Sequence, residues 1–262
     1  MNRLPDGYRA EHLGDIDSTN TEAFRRAEAG DPGRLWLTAE RQTIGRGRGD
    51  RGWSSEPGNL YASLLLHLDV PLPTALQLPF VAGVAIHDAI AGAGDGNPDA
   101  SLALKWPNDL LADGCKVCGI LVESRSFAGQ HTRSAAIGFG VNVAHHPADT
   151  QHPATNLTDR GIRTTPMTLF DRLAGCMAAR LATWDNGAGF AAIREEWQAR
   201  AIDIGSQLAV QDGSDRVCGT YAGLDADGAL LLNVGGSVRR FTYGDVMYPA
   251  RERDRATEQQ EE

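Results

Sequence analysis

Three apolar runs in the middle of the chain are joined by connections of hairpin scale. The runs cover residues 102–105, 116–123 and 135–143. Parallel strands need a crossover of about a dozen or more residues, usually a helix, whereas antiparallel strands can be joined by tight turns. The spacing therefore predicts an α+β fold with a mixed, largely antiparallel sheet rather than a series of βαβ units.

Helical patterns lie before and after these runs. A short strand at 12–16 is followed by Ser18 and Thr19, either of which can cap a helix, and Thr19 with Glu22 fits the reciprocal capping pattern. Further helices are predicted over 76–90, 166–184 and 189–201.

The composition changes near residue 204, where short strands begin to alternate with tight turns such as 225–228 and 235–236. Roughly forty residues of hairpins are the length and pattern of a small β-barrel. We therefore expect a large domain at 1–203, a small β-barrel at 204–250 and a charged, disordered tail at 251–262.

The overall charge argues against some classes of function. The 262 residues include 25 Lys+Arg and 34 Asp+Glu, which gives a formal net charge of -9. A protein that binds nucleic acid broadly usually presents a basic face, so we expect no DNA partner. The N-terminus lacks the apolar core of a signal peptide, and we find no apolar run long enough to span a bilayer. These features predict a cytoplasmic protein without membrane contact.

Four cysteines fit reduced thiols in that compartment. Cys115 and Cys118 have the spacing of a redox or zinc half-site, but Cys176 and Cys218 are far away in the sequence. A zinc site needs a second pair or nearby histidines. We therefore favour small residues beside a buried strand and predict no metal ligands.

Residues 40–53, which we call the Gly/Arg loop, carry alternating glycine and arginine at Gly45, Arg46, Gly47 and Arg48. Glycine lets the backbone approach a ligand closely, and guanidinium groups bind anions. Apolar runs at 35–37 and 60–66 flank the loop and favour an ordered anion clamp. A disordered RNA-binding tail and a solvated charged loop are the alternatives.

A second polar group follows the strand at 102–105. The segment Lys105-Trp106-Pro107-Asn108-Asp109 delivers an amide and a carboxylate into a turn, because Pro107 prevents further strand pairing. Lys116 begins the next apolar run, from where it can reach the end of the sheet. A purely structural turn remains the alternative, since Asn and Asp after Pro are common turn formers.

These residues belong to five segments that occur in order along the chain. The segments are Ser18-Thr19-Asn20, residues 40–48 with Trp53, 105–109, 116–123 and 138–142. Together they resemble the motif set of biotin protein ligases, over a stretch from Ile16 to Tyr248. The resemblance implies a class II aminoacyl-tRNA synthetase-like catalytic domain followed by a small SH3-like β-barrel.

The resemblance also assigns roles to single positions. Those implied for biotin are Ser18, Thr19, Asn20, Gln42, Gly45, Arg46, Gly47, Arg48, Lys116 and Gly119. Those implied for ATP are Arg46, Arg48, Trp53, Asn108, Lys116 and Asn142. Those implied for catalysis are Lys116, Arg48 and Asp109, with Lys116 at the activated carboxyl and Asp109 near the acceptor amine.

The implied reaction is ATP-dependent attachment of biotin to one lysine of a biotin carboxyl carrier domain, through biotinyl-AMP. ATP and biotin are the substrates, and Mg²⁺ is expected with ATP. Arginine and lysine suit this chemistry because negative charge builds on the phosphoryl oxygens. A lipoate- or octanoate-type protein ligase is the nearest alternative, and a nucleic-acid-binding module is a distant one.

Two positions depart from the family pattern, namely Asp50, where glycine is expected, and Cys118, where alanine is usual. Members that also repress the biotin operon carry a winged-helix domain, for which the sequence before Ile16 is too short. The resemblance therefore implies the single-function form, as a monomer or weak homodimer.

Overall fold

The computed structural model describes residues 4–93, 100–127, 131–148, 150, 153–213 and 215–247. The chain divides into two compact units, Met1–Ala201 and Ile202–Glu262. The predicted disordered tail at 251–262 lies outside the described residues.

A seven-stranded sheet forms the centre of the first unit, with strand order β1-β2-β3-β7-β6-β5-β4. The strands are β1 Arg9–Ile16, β2 Leu35–Gln42, β3 Leu60–Leu68, β4 Leu102–Lys105, β5 Asp109–Ala112, β6 Cys115–Arg125 and β7 Arg133–Val141. Every neighbouring pair is antiparallel except β1 and β2, which are parallel. The predicted mixed, largely antiparallel sheet is therefore confirmed, but the expectation of no βαβ unit is wrong for this one pair.

Within the described residues, five α-helices accompany the sheet: α1 Thr19–Glu28, α2 Leu72–Ala75, α3 Leu78–Ala91, α4 Pro166–Trp184 and α5 Phe190–Ala199. Helix α1 connects β1 to β2 and packs its Ala23, Phe24 and Ala27 against Leu37 and Ala136 on one face of the sheet. On the opposite face, Trp36 packs edge-to-face against Phe170 of α4, with the ring centroids 5.6 Å apart. The sheet thus has a helical layer on each face, and α1 marks the face that carries the candidate site.

Two local predictions need correction. The turn predicted after Pro107 contains Asn108 but not Asp109, because Asp109 pairs back with Lys105 and begins strand β5. Helix α1 has Ser18 at its N-cap position, but no side-chain cap hydrogen bond forms there. The Thr19 hydroxyl instead contacts Gln42 and Ser63, so it connects the start of α1 to strands β2 and β3 and does not cap the helix.

The segment Leu72–Ala91 is, by length and composition alone, apolar enough to cross a membrane, with a mean hydropathy of 1.3. This corrects the expectation that no run reaches that length. In the structure it is divided between α2 and α3, and 61% of its most apolar window is buried inside the protein. Core helices commonly have this composition.

Asp88 of α3 connects helices α3, α4 and α5. Arg180 of α4 donates to its carboxylate at 2.6 Å, and Arg200, which follows α5, donates at 2.8 Å. Burial opposes the charged form, but hydrogen bonds from His87, Arg180 and Arg200 outweigh it and hold the pKa of Asp88 well below its usual range.

We expect Asp88→Asn to lower the free energy of unfolding near neutral pH by about 2 kcal/mol, the size of a hydrogen bond to a charged group. Because the folded pKa is depressed, this stabilisation is fully present above the unfolded pKa of about 4 and is lost as the pH falls through the folded value. Urea unfolding should show a difference in the free energy of unfolding between the parent and Asp88→Asn that becomes smaller as the pH falls. Asp69→Asn is the control, because Asp69 is exposed. A difference that does not depend on pH would contradict the assignment.

The described part of the second unit contains five strands: β8 Gln207–Asp212, β9 Asp215–Leu224, β10 Leu230–Val234, β11 Ser237–Phe241 and β12 Asp245–Met247. Their order is β11-β10-β9-β8-β12, and each neighbouring pair is antiparallel. Among the described residues this sheet is open, since β11 and β12 are its edges. The hairpin pattern is confirmed, whereas closure into an SH3-like barrel stays a prediction.

Candidate functional site

A β-bulge brings Lys116 to the face of the sheet that α1 covers. Asp109 pairs with Gly119, but Leu111 pairs with Lys116, so β6 contains one extra residue at this point. Directly paired residues share a face, and a shift of one residue moves a side chain to the other face. The bulge therefore places Lys116 on the same face as Asp109 and Gly119.

Asp109 lies between two ammonium groups. Its Oδ1 is 2.6 Å from Lys116 Nζ, and its Oδ2 is 3.4 Å from Lys105 Nζ. Burial opposes the charged form of Asp109, but the two lysines outweigh it and hold its pKa below the usual range. The chain contains no lysine besides these two, so both of its ammonium side chains are concentrated at this carboxylate.

Glycines on β6 and β7 provide a floor for Trp53. A Cβ atom at Gly140 would lie 2.5 Å from the indole, and one at Gly119 would lie 2.9 Å from it. Gly119 and Gly140 are cross-strand partners, so they leave one continuous flat area. Lys116 Nζ lies 5.4 Å from the centre of the Trp53 ring, a cation–π distance. The predicted residues Trp53, Gly119 and Lys116 therefore meet in one place.

The Gly/Arg loop is an ordered hairpin in the structure. Arg46 pairs with Gly52, and Trp53 N–H donates to Gly45 O at 2.9 Å. A Cβ at Gly45 would lie 2.4 Å from the Trp53 carbonyl oxygen, so this close approach requires glycine. The arrangement agrees with the ordered-loop interpretation. The side chain of Asp50 lies outside what the structure describes.

Arg48 at the tip of this hairpin reaches the β4–β5 turn. Its Nη1 donates to Asn108 Oδ1 at 3.2 Å, and Asn108 Nδ2 in turn donates to Ile120 O at 2.6 Å. Both residues were predicted to lie on the ATP side. Their contact brings the loop tip to the same end of the sheet as Asp109 and Lys116.

A continuous series of polar contacts through the protein connects the two arms of this hairpin, from Arg46 on one arm to Trp53 on the other. We call it the anchoring chain; its members in order are Arg46, Glu123, Asn20, Ser63, Thr19, Gln42, Ser55 and the Trp53 carbonyl. Thr19 N–H donates to Gln42 Oε1 at 2.9 Å, and Gln42 Nε2 donates to Ser55 Oγ at 3.1 Å. Four of the residues predicted to bind biotin thus belong to one network: Thr19, Asn20, Gln42 and Arg46.

Two predicted residues have their polar atoms directed at the protein itself. Asn142 is buried, and its Nδ2 donates to Thr155 O at 3.0 Å, which holds the segment after β7. Asn20 Nδ2 donates to Leu121 O and Glu123, and its Oδ1 contacts Ser63. In this arrangement both asparagines shape the site through its walls.

Sequence reasoning did not assign a role to Glu123, Ser63, Ser55 or Lys105. A signal for Glu123 existed, because it lies four residues after Gly119 on one strand and therefore on the same face. Ser63 is a fully buried polar residue in a mostly apolar strand, which also marks it as a residue with a polar partner. Lys105 lies within the segment 105–109, but its contact with Asp109 has no comparable signal in the sequence, and neither has the role of Ser55.

The cysteines and histidines do not form a metal centre in the described part of the chain, where no group of three or more His, Cys, Asp or Glu side chains is placed to hold an ion. All four cysteines are free thiols. Burial raises the pKa of the Cys118 thiol well above its usual range, so this thiol stays protonated and unreactive.

Related sequences cover most of this chain. The sequence model of the Biotin/lipoate A/B protein ligase family matches residues 15–142. The chain is 39% identical over 226 residues to the "Biotin--[acetyl-CoA-carboxylase] ligase" of Paracoccus denitrificans, an alignment that covers 84% of this chain and 92% of that protein. The chain therefore belongs to the biotin/lipoate A/B protein ligase family.

Within this family, the particular likeness is to proteins named for biotin. The chain is 34% identical over 240 residues to the "Biotin--[acetyl-CoA-carboxylase] ligase" of Mycobacterium tuberculosis, with 88% of this chain and 85% of that protein covered. Its fold matches the biotin protein ligase of Aquifex aeolicus solved with biotin and ATP, at a TM-score of 0.74 and 25% identity, covering 91% of this chain and 97% of that one. The resemblance seen in the five sequence segments is thereby confirmed.

Proposed function

We propose that this protein is a ligase that uses ATP to attach biotin to a lysine of a biotin carboxyl carrier domain, through a biotinyl-AMP intermediate. One observation carries the proposal: Lys116 lies beside Asp109 and beside Trp53 of the arginine-bearing hairpin, whose indole rests on a floor of glycines. The names of its relatives support biotin as the acid and a carboxylase as the recipient.

The first half-reaction joins two anions. The biotin carboxylate attacks the α-phosphorus of ATP, the bond to pyrophosphate breaks, and a mixed anhydride forms. Lys116 and Arg48 offset the charge that builds on the reacting oxygens, and each charge-assisted hydrogen bond contributes about 1.5 to 3 kcal/mol. The flat indole of Trp53 offers a stacking surface for the adenine.

The polar end of biotin is a neutral ureido group on an apolar frame, which suits hydroxyl and amide partners. Thr19 and Gln42 already contact each other at the start of α1, so a ligand arriving there meets oriented donors and acceptors. Ser18 is buried beside them and makes no cap hydrogen bond. Gly45 and Gly47 let the loop backbone approach the ligand closely.

In the second half-reaction a lysine amine of the carrier attacks the anhydride carbonyl, and AMP leaves. Asp109, which the resemblance places near this amine, is a candidate to accept or steer its proton. Its depressed pKa makes it a weak base, because a good general base has a pKa near the working pH. We therefore assign Asp109 to steering the ammonium groups, including that of Lys116.

Both carboxylates of the site, Asp109 and Glu123, are ion-paired, so Mg²⁺ fits as a companion of the ATP phosphates rather than as an ion held by a protein cage. We assign catalysis to residues 1–203, and to residues 204–250 an SH3-like barrel that supports docking of the carrier. Three properties stay predictions: location in the cytoplasm, the absence of DNA and membrane partners, and a monomeric or weakly dimeric state.

ATP–pyrophosphate exchange distinguishes this proposal from the lipoate or octanoate alternative. With the purified protein, MgATP and labelled pyrophosphate, we expect exchange that depends on biotin and is absent with lipoate or octanoate. Exchange with lipoate but not with biotin would move the protein to the other branch of its family. A salt-dependent gel shift with RNA or DNA, without exchange, would support the nucleic-acid-binding alternative.

A further inference from the structure

The carboxylate of Glu123 connects the Gly/Arg loop to helix α1. Arg46 donates to it through both terminal nitrogens, at 3.0 Å to Oε1 and 2.9 Å to Oε2. Asn20 Nδ2 donates to Oε2 at 2.9 Å. One side chain on β6 thus holds an arginine of the loop and an asparagine of the helix at the same time.

This meeting depends on the face of the sheet and on a missing side chain. Gly119, Leu121 and Glu123 alternate along β6 and share the face that α1 covers. A Cβ atom at Gly138, which pairs with Leu121, would lie 2.5 Å from Asn20 Oδ1. Glycine at 138 therefore lets Asn20 come close enough to the sheet to reach Glu123.

The protons of the anchoring chain require an acceptor at position 123. Ser63 Oγ lies 2.6 Å from Asn20 Oδ1 and 2.7 Å from Thr19 Oγ1. Asn20 Oδ1 accepts from this hydroxyl, so its amide nitrogen must face Leu121 O and Glu123. With Arg46 also donating, every group directed at Glu123 is a donor, and an ionised carboxylate satisfies all of them.

We propose that Glu123 is a positioning residue that holds the Gly/Arg loop closed over the bound acid and its adenylate, acting through Arg46. The inference deepens the proposed function, on which it rests. Arg46 is thereby fixed at the base of the hairpin, while Arg48 at the tip stays directed toward Asn108 and the reacting groups. The other arm of the hairpin is fixed by Ser55, whose hydroxyl donates to the Trp53 carbonyl.

Glu123→Gln tests this role with little change in shape. The new amide presents a donor to Arg46 or to Asn20, so the loop loses its anchor. We expect the biotin KM and the rate of adenylate release to rise about tenfold each, the effect of one lost charge-assisted hydrogen bond. The kcat of pyrophosphate exchange at saturating biotin should change far less, because Lys116 and Arg48 do not contact Glu123.

Glu22→Gln is the matched control. Glu22 also pairs with two arginines, Arg25 and Arg26, but both lie on α1 and neither belongs to the loop. This variant should keep the parental KM and adenylate retention. Glu123→Asp keeps the charge on a shorter stem and should fall between Glu123→Gln and the parent.

Three outcomes would overturn the inference or its basis. If the parent exchanges pyrophosphate with biotin and Glu123→Gln retains the adenylate as well as Glu22→Gln does, the positioning role is wrong. If Glu123→Gln lowers kcat alone, Glu123 acts on the chemistry and not through the loop. If the parent itself fails to form the adenylate, the proposed function is what fails.

If Glu123→Gln does not fold, Glu123→Asp provides the test instead. A parental biotin KM and a parental rate of adenylate release in Glu123→Asp would contradict the positioning role.

Discussion

Replacement of Lys116 by Ala is expected to reduce biotin-dependent pyrophosphate exchange by about a thousandfold, the upper range for removal of one charge-stabilising donor. Lys116 is the ammonium that the β-bulge brings to the site face, 2.6 Å from Asp109 and 5.4 Å from the centre of the Trp53 ring. Without it, the developing charge on the phosphoryl oxygens loses the ammonium group that we assign to offset it. The exchange rate at saturating biotin and ATP is the measurement.

The fold of this variant should be intact, because Lys116 is partly exposed and Asp109 retains Lys105 as a charge partner. Arg160→Ala is a suitable control, since Arg160 pairs with Asp113 at the nearby β5–β6 turn but does not reach Asp109. We expect parental exchange in the control and a native near-UV spectrum in both proteins. Near-parental exchange in Lys116→Ala would remove this residue from the mechanism.

A single methyl group at Gly140 is expected to reduce adenylate formation by about a hundredfold, because displacement of reacting groups by about 1 Å has costs of that order. The added Cβ would lie 2.5 Å from the Trp53 indole, so the indole must move off its floor. Single-turnover formation of biotinyl-AMP by Gly140→Ala measures the effect.

Gly14→Ala provides the matched control for this substitution. Gly14 also lies in a strand of the same sheet, but a Cβ there meets nothing within 4 Å. Neither glycine has a positive φ, so alanine brings no backbone strain at either position. A parental rate in Gly140→Ala, or an equal loss in both variants, would contradict the role assigned to the glycine floor.

The sequence predicted which segments meet but not how they meet. The hairpin-scale spacing gave the antiparallel sheet, and the five segments gave the family. The β-bulge at Lys116 could not be predicted, because it depends on the register between β5 and β6 and not on either strand alone. Without that bulge the alternation along β6 would place Lys116 on the opposite face of the sheet.

Local signals also failed where a polar residue had a distant partner. Thr19 fits a capping pattern with Glu22, but its hydroxyl contacts Ser63 on β3, a residue far along the chain. The same holds for Glu123, whose partners come from the loop and from α1. Tertiary contacts outweighed local propensity at each of these positions, and all of them lie in the site.

Intact-mass spectrometry of a biotin carboxyl carrier domain, after incubation with this protein, MgATP and biotin, tests the central claim most directly. We expect one biotinyl group on a single carrier lysine, dependent on ATP, with AMP and pyrophosphate released in equal amounts. The same carrier with that lysine replaced by arginine should stay unmodified. The account would be contradicted if the parental carrier stayed unmodified in the presence of this protein, MgATP and biotin. It would also be contradicted if the carrier were modified with lipoate in place of biotin.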